Sequence, residues 1–282
     1  MVIESLTNPA KAEQHPVTLL GVGFLYATVA LFLSLWVFPE EASITMVLLV
    51  VYAALPLFYT TMRYEEKQLV HTNIEQGFLS HRRVLLFFLY FFIGLTAGFT
   101  VWYLILPASM SSPVFATQMQ TISRINQHVT GGATSVAVFE NIFLNNAKVL
   151  VFSLLLSFVF GSGALFILTW NASVIAAAAG SFTKMYLAVF LASGNNNVTA
   201  YAYAITLSVL RYAIHGIPEI LAYFIAGLAG GILSAAIIRK DFSRHGDQII
   251  RDCASLMGLA VFVLLVAGLL EVYVTPLVYH LV

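Results

Sequence analysis

Apolar runs of about twenty residues recur from one end of this sequence to the other, and nothing else limits its fold as tightly. A helix rises 1.5 Å per residue, so ~20 residues cross the ~30 Å hydrocarbon core of a bilayer. The candidate windows are Val17–Phe38, Ile44–Thr61, Val84–Leu106, Val149–Leu168, Val174–Leu191, Ala200–Ile217, Glu219–Ile238 and Leu256–Tyr273. In hydrocarbon every backbone N–H and C=O is satisfied internally, which leaves helices or a closed barrel. A barrel shows ~10-residue alternating segments, whereas these runs are longer and uniformly apolar. Composition agrees, with 60% hydrophobic and 9% charged residues against ~25% charged in an average soluble domain. The expected fold is all-α, a polytopic transmembrane helical bundle of about seven spans plus a partial or re-entrant segment. It forms a single integral membrane domain over residues 1–282, with the lipid bilayer as its first partner. A formal net charge of zero gives no footprint for nucleic acid. The lone Cys253 excludes an intrachain disulfide and a multi-cysteine metal site. The stretch carrying Glu4, Lys11, Glu13 and His15 lacks a signal-peptide pattern, so Val17–Phe38 is expected to be an uncleaved first span.

Lys and Arg orient the spans. Of the thirteen basic residues, Arg63, Lys67, Arg82 and Arg83 fall in one short polar stretch, and Arg239, Lys240, Arg244 and Arg251 in another. The positive-inside rule makes both stretches cytoplasmic. The N-terminus is then cytoplasmic, the acidic PEEAS turn external and the C-terminus external, in a multi-pass cell-membrane protein. Between Arg83 and Arg239 the chain has to cross an even number of times. Five windows lie there, so one does not span, and Val174–Leu191 and Ala200–Ile217 are the weakest. Glu219–Ile238 would run from outside to inside, placing HGIPE (215–219) at the external end of its helix.

Residues 107–147 are the longest stretch expected not to span. Within it Phe115, Met119 and Ile122 recur at helical spacing against polar neighbours. An amphipathic helix on the outer surface or on a neighbour follows. Gly131-Gly132 then interrupts the chain.

Arg211, His215 and Glu219 are spaced four apart, which is one stripe on a continuous helix. Pro218 removes an N–H and crowds the carbonyl of Ile214. A break at Gly216–Ile217 is therefore expected, with Pro218 opening a new helix and Glu219 in its first turn. Glu140 and Glu271 lie at the same expected depth. Charges inside a bilayer face protein or water. Imidazole plus carboxylates (Glu140, His215, Glu219, and more weakly Glu271) form a ligand set for a divalent metal such as zinc. The same groups suit a hydrogen-bonded structural cluster. Asn141, Asn145, Asn146 and Arg211 read as its polar companions, as caps and interhelical hydrogen-bonders. Gly94 with Gly98 and Gly227 with Gly231 fit small-xxx-small packing, within the fold or in a homodimer. Lys148 snorkels to the headgroups, and His128 reads as a solvated histidine.

The tract FENIFLNNAKVLVFSLLLSFVFGSGALFILTWNASVIAAAAG resembles the first signature of the stage II sporulation protein M family. Glu140, Asn145, Asn146, Gly161, Gly163 and Asn171 occupy its characteristic places. HGIPEILAYFIAGLAGGIL resembles the second, through His215, Gly216, Glu219, Ala226, Gly227 and Gly230. The family-like core covers about residues 135–240. The resemblance implies a membrane scaffold working beside partner proteins, and it pairs Glu140 with His215 and Glu219 in one site.

Three functions are then weighed. The first is a non-catalytic multi-pass scaffold or assembly factor, with a partner in the membrane or at its outer face. The second is an intramembrane metal-dependent hydrolase of peptidase type. It is disfavoured because one histidine stands where catalytic zinc sites commonly use two or three. The third is a transporter, suggested by polar residues within spans but lacking an internal repeat.

Overall fold

The computed structural model describes residues 17–71, 82–129, 135–160, 163–194, 196–238 and 242–279. The N-terminal stretch, Gly131-Gly132, Gly161, Arg239 and Lys240 lie outside the described residues. The elements are α1 (Thr18–Val37), α2 (Ala42–His71), α3 (Arg82–Ile105), α4 (Ala108–Val114), α5 (Ala116–Val129), α6 (Ser135–Phe160), α7 (Ala164–Ala192), α8 (Asn197–Ile238) and α9 (Phe242–Leu269). A π-helical turn, Leu270–Val274, and the short α10 (Thr275–Tyr279) close the chain. Among the described residues there is no strand. Six helices, α1, α3, α6, α7, α8 and α9, are long and apolar enough to cross a membrane, and α2 carries a shorter apolar stretch, Ala42–Phe58.

Glycines let backbones touch. A Cβ on Gly94 would run into the backbone of Leu20, and one on Gly98 would lie 2.9 Å from the Ala27 Cβ. Gly23 faces the backbone of Phe91 and Leu95 in the same way, so α1 and α3 meet along a glycine seam. A buried aromatic cluster, Phe58, Phe87, Phe88 and Phe91 with Phe224 of α8, fills the centre.

Between Arg83 and Arg239 the structure has four long helices, α3, α6, α7 and α8. The windows divide differently from expectation. Val149–Leu168 is cut by the α6–α7 turn. There the Ser157 hydroxyl accepts from the Ala164 N–H (2.9 Å) and a Cβ on Gly163 would strike the Leu156 carbonyl. Ala200–Ile217 is the first half of α8 and continues without a break into Glu219–Ile238.

The break at Gly216–Ile217 is thus overturned, and with it the position of HGIPE at a helix end. Pro218 sits inside a helix of 42 residues, about 63 Å long. An interior proline costs ~3 kcal/mol. α8 is buried against α6, α7 and α9, and opening its backbone between them would leave polar groups without water. Residues 135–147, expected in an external loop, are the first half of α6. The amphipathic segment forms α4 and α5, and it docks on the chain itself. Phe115 is fully buried, and Met119 and Ile122 pack against the core.

Candidate functional site

Because α8 is continuous, Arg211, His215, Glu219 and Tyr223 form one stripe along it. His215 Nδ1 lies 3.1 Å from the Thr275 hydroxyl, whose own proton goes to the Leu270 carbonyl (3.1 Å). A hydroxyl has a single proton to give, so His215 Nδ1–H is the donor and Nε2 carries the lone pair. One turn on, the Tyr223 hydroxyl donates to Glu219 Oε1 (2.7 Å). Glu271 stands in the π turn within electrostatic reach of Glu219 and Tyr223. Arg211 is in electrostatic reach of His215. Its guanidinium lies over the rings of Phe182 (4.6 Å) and Tyr212 (5.5 Å). π turns are rare and often mark functional positions. This one brings Thr275 and Glu271 to the α8 stripe.

The structure therefore gathers His215, Glu219, Tyr223, Glu271 and Thr275. Glu140 is exposed on α6 and takes no part in these hydrogen bonds, although the adjacent Phe139 lies against Gly268 of α9. Asn146 is buried and accepts from Asn145 Nδ2 (3.4 Å), while Asn141 and Asn145 are exposed. All three lie inside α6 rather than at its start, so they cap nothing. Gly227 faces Ala164, Ser153 and Ser157 of the same chain, and Gly230 faces Leu154 and Phe158. That small-residue face packs within the fold and is not open to a second copy. Among the described residues no group of three His, Cys, Asp or Glu side chains is close enough to hold a metal ion.

Sequence reasoning missed Tyr223 and Thr275. Tyr223 was marked by its four-residue spacing from Glu219, visible once the helix is read through Pro218. Thr275 carried no signal, since its register depends on the π turn. A second polar cluster was also missed. Ser43 donates to Gln118 Oε1 (2.6 Å), and Gln118 Nε2 donates to Ser173 (3.1 Å), tying α2, α5 and α7 together inside the core.

Comparison with curated proteins and with solved structures finds no match. The sequence profile of the family described as Stage II sporulation protein M matches residues 84–276. The match runs from the first turn of α3 through α9 and the π turn into the start of α10, beyond the two tracts that carried the resemblance. On this match, which covers more than half of its length, the chain belongs to the stage II sporulation protein M family.

Proposed function

We propose that this membrane protein is a non-catalytic scaffold or assembly factor, and that its cluster of His215, Glu219, Tyr223, Glu271 and Thr275 fixes the packing of α8 against the π turn and α10. The observation that carries the proposal is where the interior polar groups spend their hydrogen bonds. His215 joins α8 to Thr275, Ser153 of α6 donates to the Tyr223 carbonyl (2.9 Å), and Ser208 of α8 to the Ala179 carbonyl (2.9 Å). Cys253 of α9 donates to the Ala229 carbonyl (3.5 Å). Among the described residues only the Thr169 hydroxyl is buried with no partner. A transport path or hydrolytic centre needs polar groups turned toward substrate, whereas these are turned toward neighbouring helices.

One feature favours a second reading, the metal-dependent hydrolase. The Nε2 lone pair of His215, with Glu219 and Glu271 nearby, could serve a divalent ion if the three side chains drew closer. Metal content and thermal stability of the purified protein, wild type beside His215→Ala, decide between the two. A scaffold gives no stoichiometric metal and a lowered melting temperature in the variant. Stoichiometric metal in wild type that is lost in His215→Ala, with the fold retained, overturns the proposal.

A further inference from the structure

Two stretches of the chain read Asn-X-Ser/Thr with X other than proline, Asn171-Ala-Ser and Asn197-Val-Thr. Such a stretch accepts an N-linked glycan where its asparagine reaches water on the outer side of the membrane. The structure treats the two differently. Asn171 is half-buried inside α7, within a candidate span. Its Nδ2 donates to the Ile167 carbonyl (2.7 Å), so the nitrogen that would carry a sugar is already engaged on its own helix.

Asn197 opens α8, and it is exposed together with Val198 and Thr199. The turn before it, Ser193 to Asn196, has no apolar side chain and contains Gly194 at a φ of +84°. Asn196, not Asn197, caps the helix: its Oδ1 accepts from the Thr199 N–H (2.9 Å). Ser208 donates to the Ala179 carbonyl, beside Gly180, where Tyr103 in the last turn of α3 packs. Asn197 is eleven residues farther along α8, about 16 Å beyond that level. Arg82 and Arg83 at the start of α3, and Arg251 near the start of α9, stand at the opposite end of the bundle. The positive-inside rule then puts the α7–α8 turn outside. A transferase has to draw the acceptor out of its helix. The first turn is the part of α8 that yields most easily, because helix ends fray and their first N–H groups have no intrahelical partner.

We infer that Asn197 is an N-glycosylation site, modified on the outer side of the membrane by an oligosaccharide delivered on a lipid phosphate carrier. Asn197 Nδ2 forms a bond to C1 of the first sugar and loses one proton. The bond from C1 to the carrier's phosphate oxygen breaks, and the lipid phosphate leaves. No oxidant or reductant enters the step. Thr199 supplies the hydroxyl that the transferase requires two residues beyond the acceptor. Asn171 carries the same triplet and stays unmodified, because it lies in a span with its amide engaged. The inference stands apart from the scaffold proposal, since it uses none of the polar cluster.

The test is mass spectrometry of the full chain purified from the cells that naturally make it. The intact wild-type protein should exceed the mass of its polypeptide by one oligosaccharide, and the fragment bearing the glycan should contain Asn197. Asn197→Gln and Thr199→Ala should each remove the added mass, and Thr199→Ser should keep it. Asn196→Gln and Asn171→Gln, which leave Asn197-Val-Thr intact, should also keep it. Because Asn197 is exposed, Asn197→Gln should melt within a few degrees of wild type, so that loss of the glycan is not loss of the fold. Four results overturn the inference: wild type at its polypeptide mass, a glycan that persists in Asn197→Gln, one that persists in Thr199→Ala, or one that maps to Asn171.

Discussion

His215 has one hydrogen-bond partner that makes sense of its place in a greasy helix, and that partner also commits it to one tautomer. Thr275→Val removes the acceptor of the imidazole proton and the donor to the Leu270 carbonyl together. Net hydrogen-bond contributions are ~0.5–1.5 kcal/mol, so His215→Ala and Thr275→Val each lower stability by about 1–2 kcal/mol. The double variant should cost less than their sum, as read by denaturation in detergent. Strict additivity would show that the two side chains do not act together. Tyr223→Phe strips Glu219 of the hydroxyl at 2.7 Å and strands a carboxyl between helices. A loss of about 1–3 kcal/mol follows, and wild-type stability in that variant would remove Tyr223 from the cluster. Glu140 makes the contrast. From its exposed position on α6, Glu140→Gln should stay within about 0.5 kcal/mol of wild type. A larger drop would restore it to the site that the family resemblance implies.

Elements, rather than residues, mark the limit of what the sequence discloses. Gly94 and Gly98 were readable as a helix-packing face because a four-residue glycine spacing has that use, and the face indeed carries α1. Gly23 and Gly21 look alike in the sequence, yet a Cβ on Gly23 meets the backbone of α3 and one on Gly21 meets nothing within 4 Å. Gly23→Ala should therefore cost at least about 1–3 kcal/mol as an overpacked contact, while Gly21→Ala should be neutral or slightly stabilising in the same melt. Equal effects would mean that the α1–α3 seam is misplaced. The run of α8 through Pro218 was not readable. Local rules charge ~3 kcal/mol against it, and the burial that outweighs them comes from α6, α7 and α9, none of them neighbours in sequence. The α6–α7 turn was hidden for another reason, since the apolar run passes through Gly161–Gly163 with no charge to mark it. The site was half legible on the same grounds. His215 and Glu219 stand out as ionisable groups in an apolar tract, but Thr275 is brought to them by a π turn whose phase no periodicity reveals.

At the level of the whole molecule, two loops far apart in sequence should share a side of the membrane. Glu41→Cys and Ser193→Cys, in a Cys253→Ser background, should react with an impermeant maleimide from outside intact cells, and Asp247→Cys only after permeabilisation. All three positions are exposed. Labelling of Asp247 and not of Glu41 would invert the protein, and labels on opposite sides for Glu41 and Ser193 would contradict the arrangement of helices itself. The unbroken course of α8 has a mechanical consequence. A helix with a joint at its centre lets one end swing while the other stays still, but a rod does not. With Pro218 inside a continuous helix, the turn at Asn196, the imidazole of His215 and the glycines packed on α6 sit on one beam. A displacement of the turn at Asn196 is therefore carried along a single helix to the glycines packed on α6.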